Sequence, residues 1–188
     1  TATLRDITGP KLAQANSANA ARGSAPETAR TAAAPVRFDQ LPFADAIKTV
    51  RGNGQRKVAV FSDPNCSYCK QLEPELASLD STTIYTFLLP FQGEAKPIAI
   101  WCAADRAEAW QRLMLHGDDS TLKTDAACDH PIARNLALAH QLGVQGTPTL
   151  IWADGSRTEG FVGRAVLEAR LAQITSPTTP QATAEKQP

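Results

Sequence analysis

The chain has 188 residues, 43% of them hydrophobic, and 19 Lys and Arg balance 19 Asp and Glu for a formal net charge of zero. That balance argues against a nucleic-acid binder, which carries a basic face, and against a polybasic membrane-surface protein. The longest nearly apolar run, 84–91, is too short to span a bilayer, and four cysteines are too few for a disulfide-built miniprotein, which leaves a globular domain with a special cysteine site.

Residues 1–38 are dominated by Ala, Thr, Ser, Asn and Pro. They cannot bury enough surface to offset an ordering cost of roughly 1–2 kcal/mol per residue. We read them as a low-complexity tail or linker with at most a weak helical turn around 11–22. Residues 176–188 read as a flexible C-terminal tail, so 39–175 is the folded domain. The start has neither an initiating Met nor the apolar stretch of a signal peptide, as in a processed or trimmed chain. The compartment must therefore be argued from the cysteines.

Within the domain, 41–50 reads as a short helix closed by the turn signal Gly52-Asn53-Gly54. The β-branched run 57–62 predicts a buried strand. Asp63-Pro64-Asn65 supplies helix-start chemistry, and 66–79 follows as a helix with Leu72, Leu76 and Leu79 on one face. Pro74 lies inside it and is expected to kink it. A second buried strand spans 83–89. Residues 95–142 read as mostly helical, with an apolar stripe of Leu136, Ala139 and Leu142 that Gly143 terminates. The strand 149–152, the Asp154-Gly155 turn and 157–162 predict a hairpin, and Leu167, Leu171 and Ile174 mark a closing helix. The order is strand, helix, strand, helical block, hairpin, helix: an α/β sandwich with a mixed sheet.

Cys66-Ser67-Tyr68-Cys69 carries the most chemistry. A C-x-x-C in the first turn of a helix, directly after a buried strand, has the context of a redox dithiol. Free N–H groups and the helix dipole at the N-terminus favour an anion, so Cys66 is the expected low-pKa nucleophile. Cys69, one turn on and less exposed, is the expected resolving thiol that attacks the mixed disulfide Cys66 forms with a substrate. The competing reading is half of a zinc site. Structural zinc needs four ligands, and the chain has no second C-x-x-C and only the scattered His116, His130 and His140, so no metal site and no cofactor are expected. Gly146-Thr147-Pro148 before a strand is the second signal, because a proline cannot donate to a central ladder and marks a special turn, cis or trans.

The runs FSDPNCSYCKQLEPEL, IWCAADRAEAW and LGVQGTP, in that order and followed by a hairpin, resemble the thioredoxin fold. More closely they resemble the catalytic domain of bacterial periplasmic disulfide isomerases of the DsbC/DsbG type, over about 41–174. The resemblance implies a thioredoxin fold with a helical insertion between the second strand and the cis-Pro hairpin. It implies that Cys66 and Cys69 are the redox pair and that Thr147 and cis-Pro148 lie against Cys66, the Thr147 backbone pairing with a substrate strand. Ser67 and Tyr68 join the substrate surface, though plain packing is an alternative for Tyr68. Pro74 is similar to the kink proline of thioredoxin.

Cys102 and Cys128 could be free buried thiols. In the family that the chain resembles, a comparable pair in the helical insert forms a structural disulfide, and the resemblance implies the same here. Closing that loop is worth roughly 3 kcal/mol in the chain-entropy model and would place the chain in an oxidising compartment, the periplasm. The implied activity is reduction or isomerisation of disulfides in unfolded or misoxidised secreted proteins, with a DsbD-type membrane reductase as electron donor. The Ser-Tyr pair between the cysteines offers no His, so a milder oxidant is expected than where a His stands there. A non-catalytic chaperone or assembly module on the same scaffold is the rival reading, against which the intact C-x-x-C speaks. Residues before Leu41 offer few large aliphatics and no strand pattern, unlike the family's N-terminal dimerisation domain, so a monomer or weak dimer is expected. Trp101, Trp110 and Trp152 are expected in the core or at its rim. Asp63 is expected as a turn or cap residue, with a proton relay as the lesser alternative.

Overall fold

The computed structural model describes residues 35–175; residues 1–34 of the tail read over 1–38, with the turn around 11–22, and the tail read over 176–188 lie outside the described residues. Five strands, β1 (Ile47–Arg51), β2 (Arg56–Ser62), β3 (Thr82–Leu88), β4 (Thr149–Trp152) and β5 (Arg157–Glu159), form one sheet in the order β1-β3-β2-β4-β5. β2 and β3 are parallel and every other pair is antiparallel. Parallel neighbours need a long crossover, and α1 (Ser67–Ala77) supplies it. The predicted helical insertion is α2 (Ala95–Trp101), α3 (Arg106–His116) and α4 (Ile132–Gln141), and α5 (Arg164–Thr175) closes the chain. Between α3 and α4 the backbone over 117–131 is irregular rather than helical, beginning where Gly117 turns left-handed at φ +65° to end α3.

One expected element is replaced. Residues 41–50 are not a helix: Phe43–Asp45 makes a single 3-10 turn and Ile47–Arg51 is the edge strand β1. Phe43, Ile47 and Val50 stand at helical spacings of four and three, but a lone short helix is marginal, and the free edge of β3 offers a full antiparallel ladder from Ile47↔Thr86 to Arg51↔Thr82. Ile47 is buried while Lys48 and Val50 face solvent, the two-residue alternation of a half-buried strand. The packed body also begins earlier than 39. Phe38 is buried in the core, and the Val36 N–H donates to the Gly155 carbonyl. Gly155 has φ +82° and a Cβ there would sit 2.2 Å from the Val36 oxygen, so both the turn and this close approach require glycine.

Side chains of β2 alternate between two cores. Val58 and Val60 pack with Leu72 and Leu76 of α1 and Leu167 and Leu171 of α5, whereas Ala59 and Phe61 pack with Phe87, Ala139 and Phe38 on the other face. Trp152, Trp110 and Trp101 are all buried, as core packing predicts, and the Arg106 guanidinium covers the Trp101 ring at 3.8 Å. A third cluster joins Cys66, Cys69 and Leu88 to Ile100, Trp110 and Leu113, so the helical insert packs directly on the cysteines. The buried Asn135 of α4 donates to the Leu88 carbonyl, tying the insert to the end of β3.

Glu73 of α1 is a carboxyl within that packing. Burial raises its pKa to about 7, against the opposing pull of the Trp110 indole and the Arg51 charge. The Trp110 Nε1 is itself buried without a well-formed hydrogen bond, and Glu73 is the acceptor it faces. A carboxyl that holds its proton more tightly in the folded state stabilises the fold below the unfolded-state pKa, and that stability is lost as pH rises through the folded pKa. Stability should therefore fall between about pH 4.5 and pH 7, by on the order of 3 kcal/mol from this group. Glu73→Gln should abolish that share of the slope and be the more stable protein at pH 8. Denaturant midpoints of both proteins across this range check it.

Candidate active site

The topology brings two loops together at one end of the sheet. β4 runs antiparallel to β2 with Thr149 opposite Phe61, so residues just before Thr149 lie beside residues just after Ser62. The first loop is a tight turn in which the Cys66 N–H donates to the Asp63 carbonyl. Asp63 is fully buried, and its carboxylate accepts from the N–H of Asn65 and of Gln92, each at 2.8 Å. Its role is thus the expected turn residue, stitching the cysteine loop to the loop after β3. The second loop contains the Thr147–Pro148 peptide, which is cis.

Cys66 is the N-cap of α1, and Lys70 N–H donates to its carbonyl in the first helical bond. Its side chain caps nothing in the helix; instead Sγ lies 3.5 Å from the Thr147 carbonyl and donates to it. Cys66 and Cys69 are free thiols, 6% and 1% exposed respectively. The outer sulfur is therefore the accessible one of the two.

The electrostatics separate them further. Burial opposes the Cys66 thiolate, but hydrogen bonds from the Thr147 side chain, from Cys69 and from the Tyr68 N–H outweigh it, and its pKa lies below the ordinary thiol value. For Cys69 burial wins. Its thiol is pushed up to about 12, despite favourable contacts from the Ser62 side chain, the Asp63 backbone and the Thr147 side chain. The site thus holds one sulfur whose thiolate is favoured over that of an ordinary cysteine and one whose thiol form is favoured.

Around the pair, Ser67 and Tyr68 are exposed, Tyr68 at 59%, while Pro148 is buried and Thr147 half-buried. The β4 ladder begins only at Thr149, which leaves the Thr147 backbone without a strand partner among the described residues. The exposed Phe161 follows Gly160, whose N–H donates to the Pro148 carbonyl. Sequence reasoning singled out neither Phe161 nor Ser62. Ser62 was readable as the one polar residue ending the apolar series Val58, Val60 on the α1 face of β2.

Cys102 and Cys128 are joined, closing the loop between the end of α2 and the segment before α4. Cys102 is half-buried and Cys128 exposed, so this pair differs from the buried core thiols of the alternative reading. Among the described residues no cluster of three or more His, Cys, Asp or Glu could hold a metal ion, and no helix is long and apolar enough to cross a membrane.

Residues 43–175 match the model of the thioredoxin-like domain. The chain belongs to the thioredoxin-like family. A crystal structure of a disulfide interchange protein from Neisseria gonorrhoeae superposes with a TM-score of 0.65 at 37% identity, covering 71% of this chain and 97% of that one. The probable thiol:disulfide interchange protein DsbC of Bordetella parapertussis is 45% identical over 139 residues, 72% of this chain and 49% of that protein. The corresponding DsbC of Escherichia coli K12 is 33% identical over 111 residues, 55% of this chain and 45% of that protein. This chain therefore spans about half the length of the curated relatives it matches.

Two results are expected. The rate of Cys66 alkylation against pH should show a midpoint below the ordinary free-cysteine value of about 8.5; a midpoint at or above it would contradict the assignment of the outer sulfur. In a glutathione buffer, mass spectrometry after alkylation should find Cys66–Cys69 opening before Cys102–Cys128, because the latter closes a long loop whose release costs roughly 3 kcal/mol.

Proposed function

We propose that this chain is a thiol–disulfide oxidoreductase that reduces or isomerises disulfides in secreted client proteins. The observation that carries this is the asymmetry of the dithiol: an N-cap sulfur with a lowered pKa facing the Thr147–Pro148 loop, and a buried partner one turn behind it with a raised one. The relatives named as thiol:disulfide interchange proteins support the same reading.

The chemistry follows from the two positions. The Cys66 thiolate attacks one sulfur of a client disulfide, forming the mixed disulfide and releasing the other client sulfur as a thiolate, which takes up a proton. Two fates then compete. Cys69 can attack Cys66, forming Cys66–Cys69 and completing a two-electron reduction of the client. Alternatively a different client thiolate attacks its own sulfur in the mixed disulfide, which rearranges the client and returns Cys66 reduced. A high Cys69 pKa slows the first route and leaves time for the second. The Thr147 backbone, which has no strand partner among the described residues, supplies an edge for an extended client segment, with Tyr68 and Ser67 flanking it.

Exchange of this kind requires a compartment in which disulfides persist, and the Cys102–Cys128 bond fits the periplasm. Unfolded or misoxidised secreted proteins are the clients, and a membrane reductase of the DsbD type is the source of electrons that keeps Cys66 and Cys69 reduced. No bound cofactor is required, since the sulfurs themselves carry the electrons.

A second reading, a non-catalytic chaperone, draws on the exposed Tyr68 and Phe161 beside the cysteines, which could hold an unfolded client without chemistry. Insulin reduction by the purified chain separates the two. The oxidoreductase predicts that Cys66→Ala abolishes it, a loss of at least ~100-fold set by removal of the nucleophile. Protection of an unfolded client that is identical in Cys66→Ala and the parent, with no insulin reduction by either, would favour the chaperone.

A further inference from the structure

On the α1 face of β2 the alternating positions are Val58, Val60 and Ser62. The first two are fully buried hydrophobes, and the third is a hydroxyl that is only 2% exposed. A hydroxyl at a core position costs stability unless it is answered by a polar partner; the ladder partner of Ser62, Leu88, packs in the same buried cluster as Cys69, and the Ser62 side chain faces the Cys69 sulfur. Its backbone is clamped, with Ser62 opposite Leu88 in the parallel ladder and its carbonyl accepting from Leu89 N–H at 2.9 Å. The hydroxyl is therefore a fixed donor on a rigid strand end, beneath the first turn of the helix that carries both cysteines.

Cys69 needs such a donor at one moment only. To resolve a mixed disulfide it must become a thiolate in a site that is almost completely closed to water, where an uncompensated charge is costly. We propose that the Ser62 hydroxyl is a catalytic donor that stabilises the Cys69 thiolate during the resolving step, and so sets how long a client remains covalently attached. The proposal rests on the oxidoreductase reading above. In the step, Cys69 gives up its proton, which the departing client sulfur takes up, and its sulfur attacks Cys66 Sγ. The Cys66–Cys69 bond forms and the Cys66–client bond breaks. The electron pair leaves on the client sulfur, which is protonated. The client disulfide is thereby reduced and the protein dithiol oxidised, with no other reagent. The Asp63 backbone aims at the same sulfur but cannot be removed by substitution, which makes Ser62 the testable member.

The experiment mixes the reduced chain with excess disulfide-bonded peptide, quenches with acid at intervals, and follows the Cys66–peptide adduct by mass spectrometry. Ser62→Ala should slow decay of the adduct by ~10-fold or more, the worth of one hydrogen bond to a charged sulfur, and should move the pH–rate curve for decay upward. Ser62→Thr, which keeps the hydroxyl, should decay close to the parent rate. The alkylation profile of Cys66 should be the same in all three. Decay in Ser62→Ala within twofold of the parent would overturn the proposal. Equal slowing in Ser62→Ala and Ser62→Thr with a disturbed Cys66 profile would overturn it in favour of a packing role. A parent chain that never forms the adduct would instead overturn the oxidoreductase reading, and this proposal with it.

Discussion

The pairing of β4 against β2 is the constraint on which the site depends. Because Thr149 stands opposite Phe61, the peptide before β4 and the turn after β2 are forced to the same end of the sheet. The cis Thr147–Pro148 peptide and the Cys66 N-cap then meet there, close enough for a sulfur-to-carbonyl contact of 3.5 Å. Neither loop has to fold independently into a binding site. Each is the continuation of a buried strand, and the precision of the sheet is passed to the sulfurs.

Placing reactive groups at such a junction buries polar atoms, and the surrounding structure answers them individually. Asp63 is closed off from solvent but accepts two backbone N–H groups from two loops. Asn135 reaches across from the helical insert to the Leu88 carbonyl. Ser62 turns its hydroxyl to Cys69. Burial raises the Cys69 pKa while hydrogen bonds lower that of Cys66, so two thiols that would otherwise titrate alike are driven apart. Packing of the insert on the cysteines is therefore part of the chemistry as well as part of the core.

Much of this was legible in the chain. The β-branched run into Asp63 and the C-x-x-C were sufficient to place the two cysteines at a helix N-terminus, because that depends on local backbone chemistry, while the resemblance implied that the later Gly-Thr-Pro loop faces them. The edge strand β1 was not legible. Its only instruction to be a strand is the open edge of β3, a long-range fact, while Phe43, Ile47 and Val50 sit at spacings that suit a helix. The packed segment around Val36 and Phe38 was hidden for the same reason: its partner is a carbonyl at Gly155, far away in sequence. Ser62 could be read as the polar end of an apolar strand face, but what it and Glu73 face was not legible until burial was known. A serine in a strand and a glutamate in a helix are ordinary on a surface and unusual only beside buried sulfur or indole.

The central claim is that Cys66 attacks and Cys69 resolves. The most direct measurement is covalent trapping in Cys69→Ser, incubating the reduced variant with a disulfide-bonded client and locating the linkage by peptide mapping. The account predicts a stable adduct at Cys66 in Cys69→Ser and none at Cys69 in Cys66→Ser. An adduct that forms readily at Cys69 in the latter variant, or no adduct in either, would contradict it.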